Sequence, residues 1–281
     1  MKKGLILEGG AMRGMFTAGV TDVMMEHGIE FDGAVGVSAG AAFGCNYKSR
    51  QIGRALRYNT KFVTDSRYCG WRVFFKTGNM YSTEFCYGEV PLKYDIFDFD
   101  TYEKNPMDFF VVCTDIETGK AVYHKYEGRD DHGFDWIRAS ASMPLVSQIV
   151  EIDGQKLLDG GISDSIPIKY FESLGYTKNI TILTRPAGYR KSKNPLLPLV
   201  RQKYKKYPEL VRAMINRHTI YNQTLDYIEM QEKCGKLLVI RPETALPVSR
   251  VERDPEKLTV AYEIGRKTAT QNLEKIINYL K

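Results

Sequence analysis

The chain has 281 residues, 43% of them hydrophobic and 26% charged. That composition excludes a wholly disordered chain and supports a substantial core in one or two domains. The net charge of +6 is local, since residues 185–218 hold ten Lys/Arg against Glu209 alone, giving +9 there and −3 elsewhere. The five cysteines, at 45, 69, 86, 113 and 234, form no C-x-x-C pair. Their odd number and wide spacing speak against a zinc or redox motif and against a disulfide framework, and for reduced thiols in a cytosol.

In chain order, Leu5 to Glu8 reads as a short buried strand. Glu8 ends the apolar stretch after three strongly apolar residues, well below the roughly 7–15 of a secretory signal. No run approaches the roughly 20 apolar residues of a membrane span. Gly9-Gly10-Ala11-Met12-Arg13-Gly14 is a tight turn. Met15, Phe16, Gly19, Val20, Val23 and Met24 then recur at helical spacing, with Gly28 closing the helix. Phe31 to Val37 is a second strand, ending in Ser38-Ala39-Gly40-Ala41-Ala42, whose small side chains permit a sharp turn into another helix. Two strand–turn–helix units in succession predict a parallel sheet with crossover helices.

Phe109 to Thr114 and Ala121 to His124 flank a Glu117-Thr118-Gly119-Lys120 turn and predict a hairpin. Cys113, within the first of these runs, is expected in the core. Phe134 to Ser142 is a short helix stopped by Pro144. Leu157-Leu158 leads into Asp159-Gly160-Gly161, and Ile180 to Thr184 and Leu237 to Ile240 are two more strands. Asp254, Pro255 and Glu256 open a last helix expected to run to about Tyr279. The basic stretch 185–235 falls between two strands, as an insertion into one α/β domain.

Three segments carry chemistry. Gly36-Val37-Ser38-Ala39-Gly40 fits G-x-S-x-G after a strand and before a helix. There a serine Oγ is held at the sheet's carboxyl edge, with the next N–H and the helix N-terminus facing developing negative charge. The Gly9–Gly14 turn offers consecutive N–H groups and Arg13 for an anion such as a tetrahedral oxyanion. A dinucleotide site fits less well, because Ala11 stands where the middle glycine belongs and neither Glu26 nor Glu30 ends a second strand. For the base, His27, His124, His132 and His218 lie in no recognisable catalytic turn. Asp159 stands at a strand end beside two glycines. With an ordinary pKa near 3.9 it needs partial desolvation and direct reach of Ser38 to serve. The bland alternative for each segment is a plain glycine turn.

Taken in order, Gly9-Gly10-Ala11-Met12-Arg13-Gly14, Gly36-Val37-Ser38-Ala39-Gly40 and Asp159-Gly160-Gly161 resemble the bacterial patatin-like phospholipases over residues 5 to 175. Also similar are Thr114-Asp115, Ala139-Ser140-Ala141-Ser142-Met143-Pro144 and Asp164-Ser165-Ile166-Pro167. The resemblance implies an α/β fold with three α/β/α layers, a mainly parallel central sheet and a C-terminal helical extension. That extension spans 176–281 and is packed on the same domain as the core of 5–175. It further implies a Ser–Asp dyad acting on (lyso)phospholipid or related lipid esters without metal or cofactor. Ser38 is then the nucleophile and Asp159 the proton acceptor, with N–H groups around Gly10 and Ala11, joined by that of Ala39, as the oxyanion hole. Ala11 departs from the family's usual glycine, which puts the donors in question. Two rivals stay open: an α/β-hydrolase esterase with Ser38, Asp159 and His218, and a non-catalytic lipid-binding protein. The expected location is cytoplasmic, with the 185–218 stretch read as a solvated face or a peripheral contact with anionic membrane. No nucleic-acid module accompanies that charge. The aromatic-rich stretch Tyr68 to Tyr94 is expected to touch the acyl chain.

Overall fold

A computed structural model describes residues 1–281. The eight strands are β1 (Lys2–Leu7), β2 (Gly33–Val37), β3 (Asp108–Asp115), β4 (Ala121–Lys125), β5 (Val150–Ile152), β6 (Gln155–Asp159), β7 (Tyr176–Ile182) and β8 (Leu237–Ile240). They form one sheet in the order β5-β6-β3-β2-β1-β7-β8, with β4 also paired to β3. The run β3-β2-β1-β7-β8 is parallel, whereas β4, β6 and β5 are antiparallel additions at one end. The helices are α1 (Gly14–Glu26), α2 (Ala39–Lys48), α3 (Arg54–Phe62), α4 (Trp71–Thr77), α5 (Phe99–Lys104), α6 (Asp135–Ser140), α7 (Ile168–Ser173), α8 (Leu197–Lys203), α9 (Pro208–Lys233), α10 (Pro255–Gln271) and α11 (Leu273–Leu280), with a π-wound segment at Glu84–Tyr94.

The central strands are apolar on both faces because both faces are covered. Leu5 and Leu7 of β1 pack with Phe16 and Val20 of α1 and Ala41 and Cys45 of α2. Ile6, between them, packs with Phe171 of α7 and with Tyr221, Leu225 and Ile228 of α9. The period-2 alternation thus sorts one strand into two cores and gives the three layers. Cys113 is fully buried in the first core. On that face α10 lies along α1, where a methyl at Gly19 would strike the Tyr262 carbonyl and one at Gly265 the Phe16 carbonyl. Glycine inside both helices, normally a cost of about 1 kcal/mol each, is what lets them approach.

The last helix differs from its expected single span. Asn272 interrupts it, with φ −101° and ψ 5°. Its side-chain amide donates to the Thr268 carbonyl at 2.8 Å, a side-chain competitor for the backbone ladder. The break re-aims α11 so that Ile276 and Leu280 bury beside Ala269 in the first core. No helix is long and apolar enough to cross a membrane.

Candidate active site

β2 ends at Val37, and Ser38 turns the chain at φ 54° and ψ −119°. This left-handed conformation costs a non-glycine residue roughly 1–3 kcal/mol and persists only where the surroundings enforce it. Here a Cβ on Gly36 would lie 2.5 Å from the Gly40 carbonyl oxygen, and one on Gly40 would strike the Leu7 carbonyl. The small neighbours therefore allow α2 to start directly against β1 and β2. The Ser38 carbonyl accepts from the N–H groups of Ala41 and Ala42, both at 3.0 Å. The Ser38 N–H donates to Ser140 Oγ at 2.8 Å, and Ser140 Oγ donates to the Val112 carbonyl at 2.6 Å. Ser140, at the end of α6, thus ties the turn to β3.

Asp159 closes β6 opposite Cys113 of β3. Its N–H donates to the Ser142 carbonyl at 2.9 Å, and its carbonyl accepts from Thr114 Oγ1 at 2.9 Å. Its Oδ1 accepts the Gly161 N–H at 2.7 Å, which leaves Oδ2 for Ser38 Oγ, also at 2.7 Å. Both side chains are buried. Burial pushes the Asp159 carboxyl above its ordinary value of 3.8. The Arg217 cation, the two hydrogen bonds and Lys191 act the other way. A carboxylate so desolvated is a stronger base than in water, and it lies within direct proton-transfer reach of a hydroxyl.

The glycine turn passes in front of this pair. Ala11 has φ 49°. The N–H groups of Gly10 and Ala11, and of Ala39 at the start of α2, donate to no acceptor within the chain. They are the donors available to an anion beside Ser38. Glu8, just before the turn, is buried and accepts from Thr184 N–H at 2.6 Å, Thr184 Oγ1 at 3.0 Å and Tyr221 Oη at 2.5 Å. It pins the turn to the residues after β7 and to α9.

Two cavities meet at Ser38, and Ala11 and Met143 also line both. One, of about 100 Å³, is predominantly apolar, with Phe43, Tyr58, Tyr68, Tyr81 and Tyr87 in its walls. The stretch Tyr68 to Tyr94 supplies much of this lining. The other, of about 250 Å³, holds Asp159, Gly9, Gly10, Gly161, Arg13, Lys191, Arg217 and Arg250. Of the residues expected at the site, Gly14, Gly36, Gly40 and Gly160 touch neither cavity and instead permit close packing behind it. His218 touches neither cavity; its Nδ1 lies 3.0 Å from the Ile215 carbonyl. Its neighbour Arg217 takes the place beside Asp159, with Nε donating to the Gly161 carbonyl. Thus Lys191 and Arg217, which the sequence assigns to an outer basic face, turn inward. Arg250 and Glu8 carry no local motif. Ser140 lies in a segment that the family resemblance marks without giving it a role.

Residues 5–172 match the sequence profile described as patatin-like phospholipase, and residues 207–281 match that of a domain of unknown function, DUF6363. The uncharacterized protein YjjU of Escherichia coli K12 is 30% identical over 200 residues, which cover 65% of this chain and 52% of YjjU. Lysophospholipase NTE1 of Meyerozyma guilliermondii is 26% identical over 255 residues, 85% of this chain and 17% of that protein. The chain thus spans about half of the first relative and about a sixth of the second. VipD from Legionella pneumophila superposes with a TM-score of 0.47 at 12% identity, over 98% of this chain and 67% of that one. With a profile match over more than half its length, the chain belongs to the patatin-like phospholipase family of lipid acyl hydrolases.

Proposed function

We propose that this chain hydrolyses an acyl ester of a (lyso)phospholipid or related lipid through Ser38 and Asp159. The observation that carries the reading is the 2.7 Å hydrogen bond from Ser38 Oγ to Asp159 Oδ2, made by a serine held at positive φ. Asp159 takes the hydroxyl proton as Oγ attacks the ester carbonyl. The oxyanion forms against the N–H groups of Gly10, Ala11 and Ala39, and each such donor is worth about 3 kcal/mol in acyl transfer. The alcohol leaves with the proton held by Asp159. Water then attacks the acyl-enzyme, giving its proton to Asp159, which returns it to Ser38 Oγ as the fatty acid leaves.

The apolar cavity suits the acyl chain, and the fold's lysophospholipase-named relatives are consistent with a lipid ester. The triad through His218 has no supporting contact. A purely lipid-binding role gives no reason for a strained serine bonded to a buried carboxylate. A peripheral membrane contact through residues 185–218 is supported by α8 and its flanks, where exposed Leu196 and Leu199 stand among exposed Arg201, Lys203, Lys205 and Lys206. Vesicle binding that weakens steeply with salt is the expected result, and indifference to salt removes it.

The test of the main reading is fatty-acid release from lysophospholipid and monoacylglycerol, with denaturing mass spectrometry to trap an acyl adduct on Ser38. Release and a Ser38 adduct in the wild type, both absent in Ser38→Ala, are expected. Turnover that survives Ser38→Ala would overturn it.

A further inference from the structure

Four cations converge on the larger cavity from four separate places in the chain. Arg13 comes at the end of the glycine turn, Lys191 lies beyond β7, Arg217 is on α9, and Arg250 is in the connection from β8 to α10. None of them belongs to any ion pair in the molecule, although twelve other Lys and Arg side chains do. Arg13 Nε is buried with no hydrogen-bond partner. A solvated basic face turns its charges outward, whereas Arg13, Lys191 and Arg217 are half-buried and line one concave wall with the more exposed Arg250.

The acids do not answer them. Asp159 is the single carboxylate in the lining. Glu8 attracts Arg13 and Lys191 in part but makes no ion pair with either, its oxygens being held by Thr184 and Tyr221. Burial and mutual repulsion pull Arg13, Lys191 and Arg217 below their ordinary values, Lys191 to about 7. Such crowding of positive charge is the state that an anion relieves. Arginine forks and a lysine point charge together are the chemistry of phosphate recognition. The wall contains no aromatic ring, so it has no cage for a quaternary ammonium.

We propose that the wall of Arg13, Lys191, Arg217 and Arg250 binds a phosphate carried by the acyl-ester substrate, and that the site therefore prefers esters with a net-anionic head to neutral or phosphocholine ones. The inference rests on the Ser38–Asp159 reading. With the ester at Ser38, the acyl chain runs into the apolar cavity and the head, a few bonds from the carbonyl, into the basic one. Lys191, Arg217 and Arg250 all lie beyond residues 5–172, the span that matches the patatin-like profile. Three of the wall's four cations are therefore supplied by the chain's second half.

The experiment compares kcat/KM for 1-acyl-glycerol 3-phosphate, 1-acyl-glycerol and 1-acyl-glycerophosphocholine of one acyl length, below micelle formation. The first is expected to exceed each of the others at least tenfold. Arg250→Gln, at an exposed position where folding is not at stake, and Lys191→Gln are each expected to cut that ratio about fivefold. Equal rates for the three esters, or a ratio unmoved in both variants, would overturn the inference and leave the hydrolase reading intact. If inorganic phosphate instead speeds 1-acyl-glycerol turnover and the phosphate-bearing ester has no advantage, the occupant is a free ion and the inference fails. Should no ester be turned over, the hydrolase reading fails, and the wall is tested alone by amine acylation of Lys191 at pH 7.5. Protection by glycerol phosphate supports the wall, and unchanged labelling removes it.

Discussion

The two walls that meet at Ser38 are built by opposite means. The apolar wall comes largely from α2, α3 and the stretch from Tyr68 to Tyr87, and three of its tyrosines make aromatic contacts, Tyr58 with Phe43 and Tyr68 edge-on to both Tyr81 and Phe85. It is satisfied as it stands. The basic wall is assembled from residues 13, 191, 217 and 250 and is unsatisfied, with unpaired cations and an orphaned Arg13 Nε. A satisfied wall selects by shape and tolerates many chain lengths. An unsatisfied one selects by charge, and it lowers stability until a partner arrives.

The largest expected effect removes what both walls serve. Ser38→Ala and Asp159→Asn should each lower kcat/KM by about 10⁴-fold on every ester, since members of one catalytic unit fail together. Ser38→Gly should be equally inactive but more stable than Ser38→Ala by about 1 kcal/mol, because glycine relieves the positive φ. Chemical denaturation of the two variants side by side measures this. Equal stabilities would mean that the turn stores no strain.

The next effect separates the walls. Ala42 of α2 lines the apolar cavity only. Ala42→Leu adds three carbons to a space of about 100 Å³, and should reduce turnover of long acyl chains about tenfold relative to butyryl esters. The ratio of anionic to neutral heads should stay fixed. A change in head preference instead of chain length would merge the two walls into one.

The pH dependence sharpens the contrast further. Asp159 acts as a base only when ionised, and its carboxyl is raised by burial. Turnover of 1-acyl-glycerol should therefore fall with falling pH through a midpoint above 3.8. Lys191 faces Arg217, Glu8, Arg13 and Arg250, and its ammonium lies 4.1 Å from the Tyr221 ring centre. It loses its proton as pH rises through about 7. The advantage of the phosphate-bearing ester should shrink over that range, although the phosphate itself gains charge above about 6. In Lys191→Met that decline should be absent, leaving only the rise that the phosphate's own second ionisation gives.

The same residue should cost stability. Its folded value of about 7 lies below the ordinary 10.5, so between those limits the unfolded chain binds more protons and stability rises with pH. The penalty is complete below about pH 7. Lys191→Met is therefore expected to stabilise the fold by about 1–2 kcal/mol at pH 7 and by almost nothing above pH 10.5. Urea unfolding at the two pH values checks the sign.

The parts of the molecule legible in sequence are those whose signals are local. The elbow is readable because Gly36, Ser38 and Gly40 answer one local steric demand, and β1, β2, β3 and β4 because their apolar runs are bounded by turns. The break at Asn272 is hidden by a helical pattern that continues through it. Arg217 and Lys191 are indistinguishable from their solvated neighbours in sequence. What turns them inward is the docking of α9 through Tyr221, Leu225 and Ile228 on the far face of the sheet, a tertiary fact with no local mark. Arg250 reaches the cavity from a connection without periodicity. The distance from Ser38 to Asp159 depends on β6 joining β3 antiparallel, which no residue near Asp159 announces.

The smallest expected effect falls where the walls join. Ala11 lines both cavities and holds φ 49°, a conformation that costs an L-residue about 1–2 kcal/mol. Glycine there removes that strain but gives the unfolded chain more freedom, which offsets about 0.4–1 kcal/mol. Ala11→Gly should thus stabilise by about 0.5–1 kcal/mol, read as a rise in the unfolding midpoint. Its N–H remains available to the oxyanion, and the lost methyl opens both cavities equally. Turnover of long-chain, short-chain, neutral and anionic esters should therefore move together, within about twofold. Were one class to change alone, Ala11 would belong to that wall and not to the junction. Were the protein to lose stability, the methyl would be making contacts that outweigh its backbone strain.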